Sequence, residues 1–287
     1  MKSAARNRRI ALFFLAPSLA GFSIFYILPF FAGGYYSLVS SPINGKFVGL
    51  ANYTNLLNNS VFLNAAKNTF VFTGVSVPLN MAFSLGFAML LARKIYMKRI
   101  LRTLFITPLV IPVASVVLVW QILFNSTGTV NYVLNALGFQ TIDWLGSDWA
   151  RLVVVIVYLW KNAGYNMILF LAGLQNIPVE YYESAEIDGA GFFRKFTSIT
   201  CVYLTPTAFF VMIMSIINSF KVFRETWMLA GDYPHDSIYM LQHYMNNMFA
   251  SLDYQKLTSA AYLMALLIVL LVFCVFSMER KIGKSIY

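Results

Sequence analysis

One long apolar segment of the chain carries polar side chains at helical spacing. The stripe consists of Tyr158, Lys161, Asn162 and Tyr165. Positions i, i+3, i+4 and i+7 lie on one face of a helix, so the four side chains would point the same way. Amine and amide groups donate hydrogen bonds to hydroxyl oxygens, and tyrosine rings can stack on the C–H faces of a sugar. The stripe therefore indicates contact with a carbohydrate, although other polar solutes would suit the same groups.

Lys161 stands near the middle of its apolar segment. A lysine at that depth in a bilayer costs roughly 2.5–3.5 kcal/mol on insertion scales. The 11 Asp and Glu residues fall in the predicted connections and termini, so no carboxylate is expected beside Lys161 inside a span. We therefore expect its ammonium group to face a water-accessible path and a substrate, and Lys161→Met to preserve or improve folding. The alternative is a side chain that extends to the membrane surface.

Two other apolar segments carry polar stripes of their own. Helical spacing places each set on one face, where it could line the same path. Ser, Thr and Asn also hydrogen-bond between packed membrane helices, and for the first of these stripes the two roles are equally plausible. The stripes are Thr69, Thr73, Ser76, Asn80 and Ser84, and then Ser215, Asn218 and Ser219.

The elements that carry these stripes are expected to cross a membrane. Of the 287 residues, 59% are hydrophobic and only 11% are charged, whereas soluble domains are about 45–50% apolar and about 25% charged. A span needs roughly 20 mainly apolar residues. The sequence therefore predicts an all-α integral membrane protein, with a single membrane domain over residues 1–287. Its six predicted spans are 10–39, 69–92, 104–124, 151–174, 203–223 and 257–278.

The positive charges predict the orientation of these spans. Most of the 21 Lys and Arg residues lie at the two termini and in the connections after the second and fourth spans. Because basic residues are retained on the cytoplasmic side, both termini are predicted to be cytoplasmic. The net charge of +10 is spread according to this topology rather than gathered in one patch, so no nucleic-acid partner is expected. Cys201 and Cys274 lie at or near the reducing side, so no disulfide is expected.

The predicted cytoplasmic connection, about 176–202, contains two helix signals. Pro178 suits the first turn of a helix, and Glu180 suits its positive end. Gly189 suits a left-handed residue at the end of that helix. We predict a short helix over 178–188, a sharp turn and a second short helix. An ordinary amphipathic helix pair at the membrane surface would show the same pattern.

The same connection resembles the EAA signature of permease subunits in binding-protein-dependent ABC importers. Ser184 replaces the usual alanine, and Val202 stands where a proline is common. The similarity extends over nearly the whole chain and is closest to the carbohydrate-uptake group, typified by maltose and glycerol-phosphate permeases. The motifs that carry it are Glu183-Ser184-Ala185, Asp188-Gly189-Ala190, Phe196, Ile199, Pro206, Trp160, residues 171–178, Pro108 to Trp120, and Asn218-Ser219-Phe220 with Gly231 and Pro234.

The resemblance implies a bacterial plasma-membrane assembly with several partners. A second permease, expected to be a different chain, would complete the pathway within the membrane lipid. An ATPase dimer would bind ATP and Mg, and an extracellular sugar-binding protein would deliver the substrate. The chain itself would bind no cofactor and no metal and would have no catalytic residue. The residues implied to couple it to the ATPase are Glu183, Ser184, Ala185, Asp188, Gly189, Ala190, Phe196 and Ile199.

The resemblance also implies which residues contact the sugar. Leu109 and Val113 stand where polar groups help hold maltose in that system, so maltose itself is not the expected substrate. The implied contacts are Tyr158, Lys161, Asn162, Tyr165, Asn218, Ser219 and Val222.

Two other classes of function compete with this interpretation. An ion-coupled secondary carrier of a polar solute would need an acidic residue inside the membrane, and the predicted spans contain none. A membrane enzyme would have to use Asp232, His235, Asp236 and His243, whose histidines do not have a usual metal spacing. The sequence also lacks a Gly-rich phosphate loop followed by Lys-Ser or Lys-Thr, so we do not expect this chain to bind ATP through that motif.

Overall fold

The structure, a computed structural model, describes residues 2–93 and 96–286, with the side chains of 12–93 and 96–281. The regular elements of these residues are helices. One isolated β-bridge pairs Val39 with Phe47. The helices are α1 Lys2–Phe22, α2 Leu28–Ser37, α3 Ala51–Leu57, α4 Ser60–Ala92, α5 Lys98–Val110, α6 Val113–Phe124, α7 Thr129–Ala136, α8 Ala150–Gln175, α9 Val179–Ile187, α10 Phe192–Lys195, α11 Cys201–Phe220, α12 Phe223–Ala230, α13 Leu241–Ala250 and α14 Tyr254–Ile286. π-helical turns join α1 to α2 and α10 to α11.

Six stretches of the described chain are long and apolar enough to cross a membrane, which confirms the predicted all-α membrane fold with six spans. The second stretch begins earlier than predicted, and the fifth extends past both predicted ends. The six are Leu12–Ser37, Ser60–Ala92, Val113–Ala136, Ala150–Gln175, Phe192–Ala230 and Tyr254–Lys281.

The segment predicted as one span over 104–124 is divided between α5 and α6. Ile111 has extended backbone with ψ of 134°, and Pro112 caps α6. A proline disfavours the helical conformation of the residue before it, because its ring clashes with that residue's backbone. The Ile111-Pro112 pair therefore ends α5 and lets α6 start in a new direction.

The chain divides into two compact units. The first comprises the residues up to 60 together with 245–264, and the second comprises 61–244 together with the residues from 265 onward. In the first unit, Tyr262 of α14 donates a hydrogen bond to the carbonyl of Phe30 in α2. A Cβ on Gly34 would lie 2.9 Å from the Tyr262 hydroxyl, so this close approach depends on glycine. Asn52 closes the following connection by donating to the carbonyls of Ser37 and Val39, each at 2.9 Å.

Helix α8 is central to the second unit and packs against α5 and α11. Its contact with α5 requires Gly164, because a Cβ there would lie 1.7 Å from the carbonyl oxygen of Phe105. Small residues permit such close approach of membrane helices. The apolar core around α8 includes Phe72, Val154, Tyr158, Val222 and Ile238 at one end and Leu91, Met167, Phe170, Leu204 and Val211 at the other. α8 is thereby held rigidly, and so is the polar stripe that it carries.

Candidate functional site

A polar cavity of about 440 Å³ lies between α8, α11 and α12 in the second unit. Its size falls in the range of about 300–1,000 Å³ that is typical of small-molecule sites. Leu109 of α5 and Gln242 of α13 complete the lining. Five residues predicted to contact substrate line this cavity, and they are Tyr158, Lys161, Asn162, Asn218 and Val222.

The prediction that Lys161 has no carboxylate partner is wrong. Lys161 donates a hydrogen bond to Glu225 of α12 and forms an ion pair with it. The Glu225 side chain is 9% exposed and that of Lys161 is 25% exposed, so the pair is largely removed from water. Glu225 lies inside the fifth stretch, Phe192–Ala230, whereas the sequence had placed it in a connection. The fifth span therefore contains a carboxylate, and that carboxylate neutralises the lysine.

Tyr158 forms a fixed wall of the cavity. Its hydroxyl donates to the carbonyl of Ser215 in α11 at 2.9 Å, and its ring packs edge-to-face on Phe72 with centroids 5.4 Å apart. Asn162 donates from its amide to the carbonyl of Tyr158 at 2.8 Å. Because Tyr158 is only 2% exposed, most of its ring packs against protein, and its role is to hold α8 and α11 around the cavity.

Tyr165 and Ser219, also predicted to contact substrate, are not among the residues that line the cavity. Tyr165 is half-buried one turn beyond the lining residues of α8. Ser219 is fully buried between helices, where its hydroxyl lies 2.8 Å from the hydroxyl of Thr73 and donates to the carbonyl of Ile216 at 2.7 Å. The structure thus brings together five of the seven predicted residues at the cavity.

The α4 stripe is buried against other helices. Thr73 bonds to Ser219 of α11, as described, and Ser84 donates to the carbonyl of Ala163 in α8 at 3.0 Å. All five residues of the stripe are buried, and none lines the cavity. Of the two roles that the sequence left open for this stripe, hydrogen bonding between packed helices is the one that the geometry favours.

Four polar or charged residues that line the cavity were not predicted: Lys221, Arg224, Glu225 and Gln242. A signal for two of them, Lys221 and Glu225, was present. Together with the predicted Asn218 and Val222, they repeat the i, i+3, i+4, i+7 spacing of the α8 stripe. The charges at 221, 224 and 225 instead suggested the end of a span, so the helical pattern was not followed past residue 223.

The connection between α8 and α11 has the predicted form of a helix, a turn and a second helix. α9 ends in a left-handed glycine, with φ of 73° at Gly189, and the amide of Ala190 bonds back to the carbonyl of Ala185 at 2.8 Å. This is a glycine-dependent helix cap. Lys195 of α10 donates to Glu186 of α9 at 2.6 Å and lowers the pKa of that carboxyl.

The outer surface of this helix pair exposes large apolar side chains beside charged ones. Ile187 is 88% exposed and Phe193 is 76% exposed, and no residue of α9 is buried. Glu183, Ser184, Asp188 and Gly189 are exposed as well, whereas Ala185, Ala190, Phe196 and Ile199 are half-buried. The residues implied to couple the chain to an ATPase therefore lie on or beside one accessible surface.

The histidines near 240 do not form a metal centre. Among the residues that the structure describes, no group of three or more His, Cys, Asp or Glu could hold a metal ion. His243 is fully buried, with its ring packed edge-on against Phe223 at 4.9 Å, and burial lowers its pKa to about 4. His235 bonds locally to Ser237 at 3.0 Å. Both imidazoles are accounted for by local packing.

Comparisons with known proteins agree with this architecture. Residues 82–286 match a family described as the inner membrane component of binding-protein-dependent transport systems. A probable ABC transporter permease of Bacillus subtilis, YurN, is 31% identical, covering 98% of this chain and 99% of the relative. The trehalose/maltose transport system permease MalF of Thermococcus litoralis is 33% identical over 80% of this chain and 79% of its own. The sulfoquinovosyl glycerol permease SmoG of Agrobacterium fabrum is 31% identical over 84% and 80%.

A solved structure shares the fold. It is a bacterial alginate ABC transporter in complex with a periplasmic protein bound to an alginate pentasaccharide. The superposition has a TM-score of 0.85 and covers 99% of this chain and 98% of the other, at 23% identity. This chain therefore shares its fold with a chain of that transporter complex.

Proposed function

The chain belongs to the family of inner membrane components of binding-protein-dependent transport systems, and from that membership we propose that it is one permease half of an ATP-driven importer that takes up a carbohydrate. It is a multi-pass membrane protein and a transport component rather than an enzyme. Two of the relatives named above, SmoG and MalF, carry different sugars in their names, so the family alone does not specify the substrate.

The observation that carries the proposal is the cavity between α8, α11 and α12. It combines hydrogen-bond donors and acceptors in a space of about 440 Å³, and most of its lining residues belong to the fourth and fifth spans. Lys161 and Glu225 present a donor and an acceptor side by side, and Asn162 and Asn218 add amide groups. Vicinal sugar hydroxyls each donate and accept hydrogen bonds, so a sugar ring would match such a mixed set.

We propose that the partners follow the family pattern. A second, different permease completes the pathway, an ATPase dimer binds ATP and Mg, and an extracellular binding protein delivers the sugar. The exposed α9–α10 pair supports the ATPase contact, because Ile187 and Phe193 have no cover within the part of the chain that the structure describes. Glu183 and the Asp188–Gly189 turn would transmit the movement of the ATPase. They lie in the α8–α11 connection and line no part of the cavity.

Both termini are proposed to be cytoplasmic. The basic residues of the termini and of the connections around Lys98 and Arg194 support this orientation. Single cysteines placed at Asn58 and at Lys98, in a chain without Cys201 and Cys274, would test it. An impermeant thiol reagent added to intact cells should label the first position only. Labelling of the second position alone would reverse the topology.

The Glu225 carboxylate removes one reason for rejecting an ion-coupled carrier, because the fifth span does contain an acid. Membership of the transporter family now argues against that alternative. The two mechanisms differ in their source of energy. An importer of this family needs nucleotide hydrolysis on a partner subunit, and a secondary carrier needs an ion gradient.

The decisive experiment isolates the tagged chain from its host membrane and reconstitutes the resulting complex in liposomes. The proposal expects an ATPase and a second permease to copurify, and sugar uptake to require ATP and the binding protein. Ionophores that collapse ion gradients should leave that uptake intact. If uptake needs no ATPase and is abolished by ionophores, the ATP-driven importer is refuted and the chain is an ion-coupled carrier.

A further inference from the structure

The cavity holds more positive than negative charge. Three basic residues line it, Lys161, Lys221 and Arg224, against one acidic residue, Glu225. Glu225 is already paired with Lys161. In the described part of the chain, Lys221 and Arg224 make no ion pair. Two cations therefore remain uncompensated around a space between membrane spans.

The membrane topology does not account for these two cations. α11 runs from the α8–α11 connection toward Lys221, so Lys221 and Arg224 lie at the end of the helix opposite to that connection. If the connection is cytoplasmic, the two residues lie toward the outer side. Basic residues are favoured at cytoplasmic ends of spans, and charged residues inside spans usually face a cavity or a partner charge. Their position calls for a partner of opposite charge in the cavity.

We propose that the transported saccharide is acidic, and that Lys221 and Arg224 bind its anionic group. This inference rests on the proposed function. The planar fork of Arg224 matches the two oxygens of a carboxylate or a comparable oxyanion, and Lys221 adds a point charge. The neutral part of the sugar would lie against the Lys161–Glu225 pair, where ammonium and carboxylate together suit hydroxyl groups. The cavity thus separates into a part for the anion and a part for hydroxyls.

Charge compensation is the physical basis of selectivity here. A neutral sugar entering the cavity would displace water from two cations and leave them without a counter-ion. An acidic sugar of the same shape replaces that water with charge-assisted hydrogen bonds. The cavity is also expected to attract anions from a distance, and salt weakens this attraction.

The test uses the reconstituted complex of the full chain with its partners, and it measures direct binding in the absence of the extracellular binding protein. The probes are uronate-containing di- to tetrasaccharides and their carboxyl-reduced, neutral counterparts. We expect one or more acidic probes to bind, each neutral counterpart to bind roughly tenfold to hundredfold more weakly, and added salt to reduce the difference. Arg224→Gln and Lys221→Gln should each weaken binding of the acidic probe by a similar factor.

Lys46→Gln is the matched control, because Lys46 is an exposed lysine that lies outside the cavity lining. It should bind the acidic probe like the unchanged protein. Each variant is also checked for copurification of the second permease. If Arg224→Gln separates the two permeases, the cations serve assembly and the inference is wrong.

The other outcomes separate this inference from the proposed function. Equal binding of an acidic probe and its neutral counterpart, or tighter binding of the neutral one, would overturn the inference and leave the sugar importer standing. Binding of no saccharide from either series would overturn the inference, whereas the importer stands or falls on the ATP-dependent uptake described above. Unchanged binding of the acidic probe in both Arg224→Gln and Lys221→Gln would place the anion elsewhere and refute the inference as well.

Discussion

Replacing Lys161 by methionine should destabilise the protein, which reverses the expectation from the sequence. The substitution keeps the length of the side chain and removes its charge, and the carboxylate of Glu225 is then left without its partner. Breaking a buried ion pair by removing one member typically costs about 3–5 kcal/mol. The Lys161 side chain is 25% exposed, so water can reach the pair, and we expect a smaller loss of about 1–3 kcal/mol.

A double-mutant cycle isolates the contribution of this pair. Lys161→Met and Glu225→Leu should each lower the unfolding midpoint of the purified transporter. The double variant should recover most of the loss, because no unpaired charge is then buried. Lys256→Met is the control, since Lys256 pairs with Asp253 at an exposed site, 49% and 29% exposed. That variant should change the free energy of unfolding by at most about 1 kcal/mol.

Uptake separates the role of the pair in folding from its role in transport. If both residues contact substrate, the stable double variant should still lose uptake or change its preference among sugars. The ion pair would have no role in stability if Lys161→Met were as stable as the unchanged protein and the double-mutant cycle gave no interaction energy between Lys161 and Glu225. Normal uptake of every accepted sugar by the double variant would remove both residues from the binding site.

Three other substitutions test separate features of the fold. Gly189→Val places a β-branched residue at φ of 73°, which costs about 1–3 kcal/mol, and it should reduce ATP-dependent uptake while sugar binding persists. Gly191→Val is the control, because Gly191 has φ of −68°, and it should reduce uptake less. Gly164→Ala should lower the melting temperature and membrane yield, because its Cβ would lie 1.7 Å from the Phe105 carbonyl; a normal melting temperature would contradict the close contact. His243 has a pKa of about 4 in the fold and 6.5 when exposed, so stability should fall by roughly 1.4 kcal/mol per pH unit as pH drops from 6.5 toward 4. His243→Asn should flatten that part of the profile in pH-dependent thermal unfolding, and an unchanged slope would exclude the histidine as its cause.

Several features of this protein were determined by local sequence. Apolar runs of sufficient length predict spans, because each backbone polar group in lipid must be satisfied within its own helix. The α8 stripe follows from helical periodicity, which fixes the relative directions of Tyr158, Lys161 and Asn162. The turn at Gly189 follows from its tolerance of positive φ. These features were predictable because each depends on residues close together in the chain.

The pairing of Lys161 with Glu225 was decided only by the tertiary structure. The two residues lie 64 positions apart, and the charges around Glu225 suggested the end of a span. Periodicity also could not show that Ser219 faces Thr73 across a helix contact, or that Tyr165 lies outside the cavity. A stripe fixes which side chains share a face, but the neighbouring helices decide whether that face meets protein, lipid or water. That choice depends on how α4, α8 and α11 pack, and packing is a property of the whole unit.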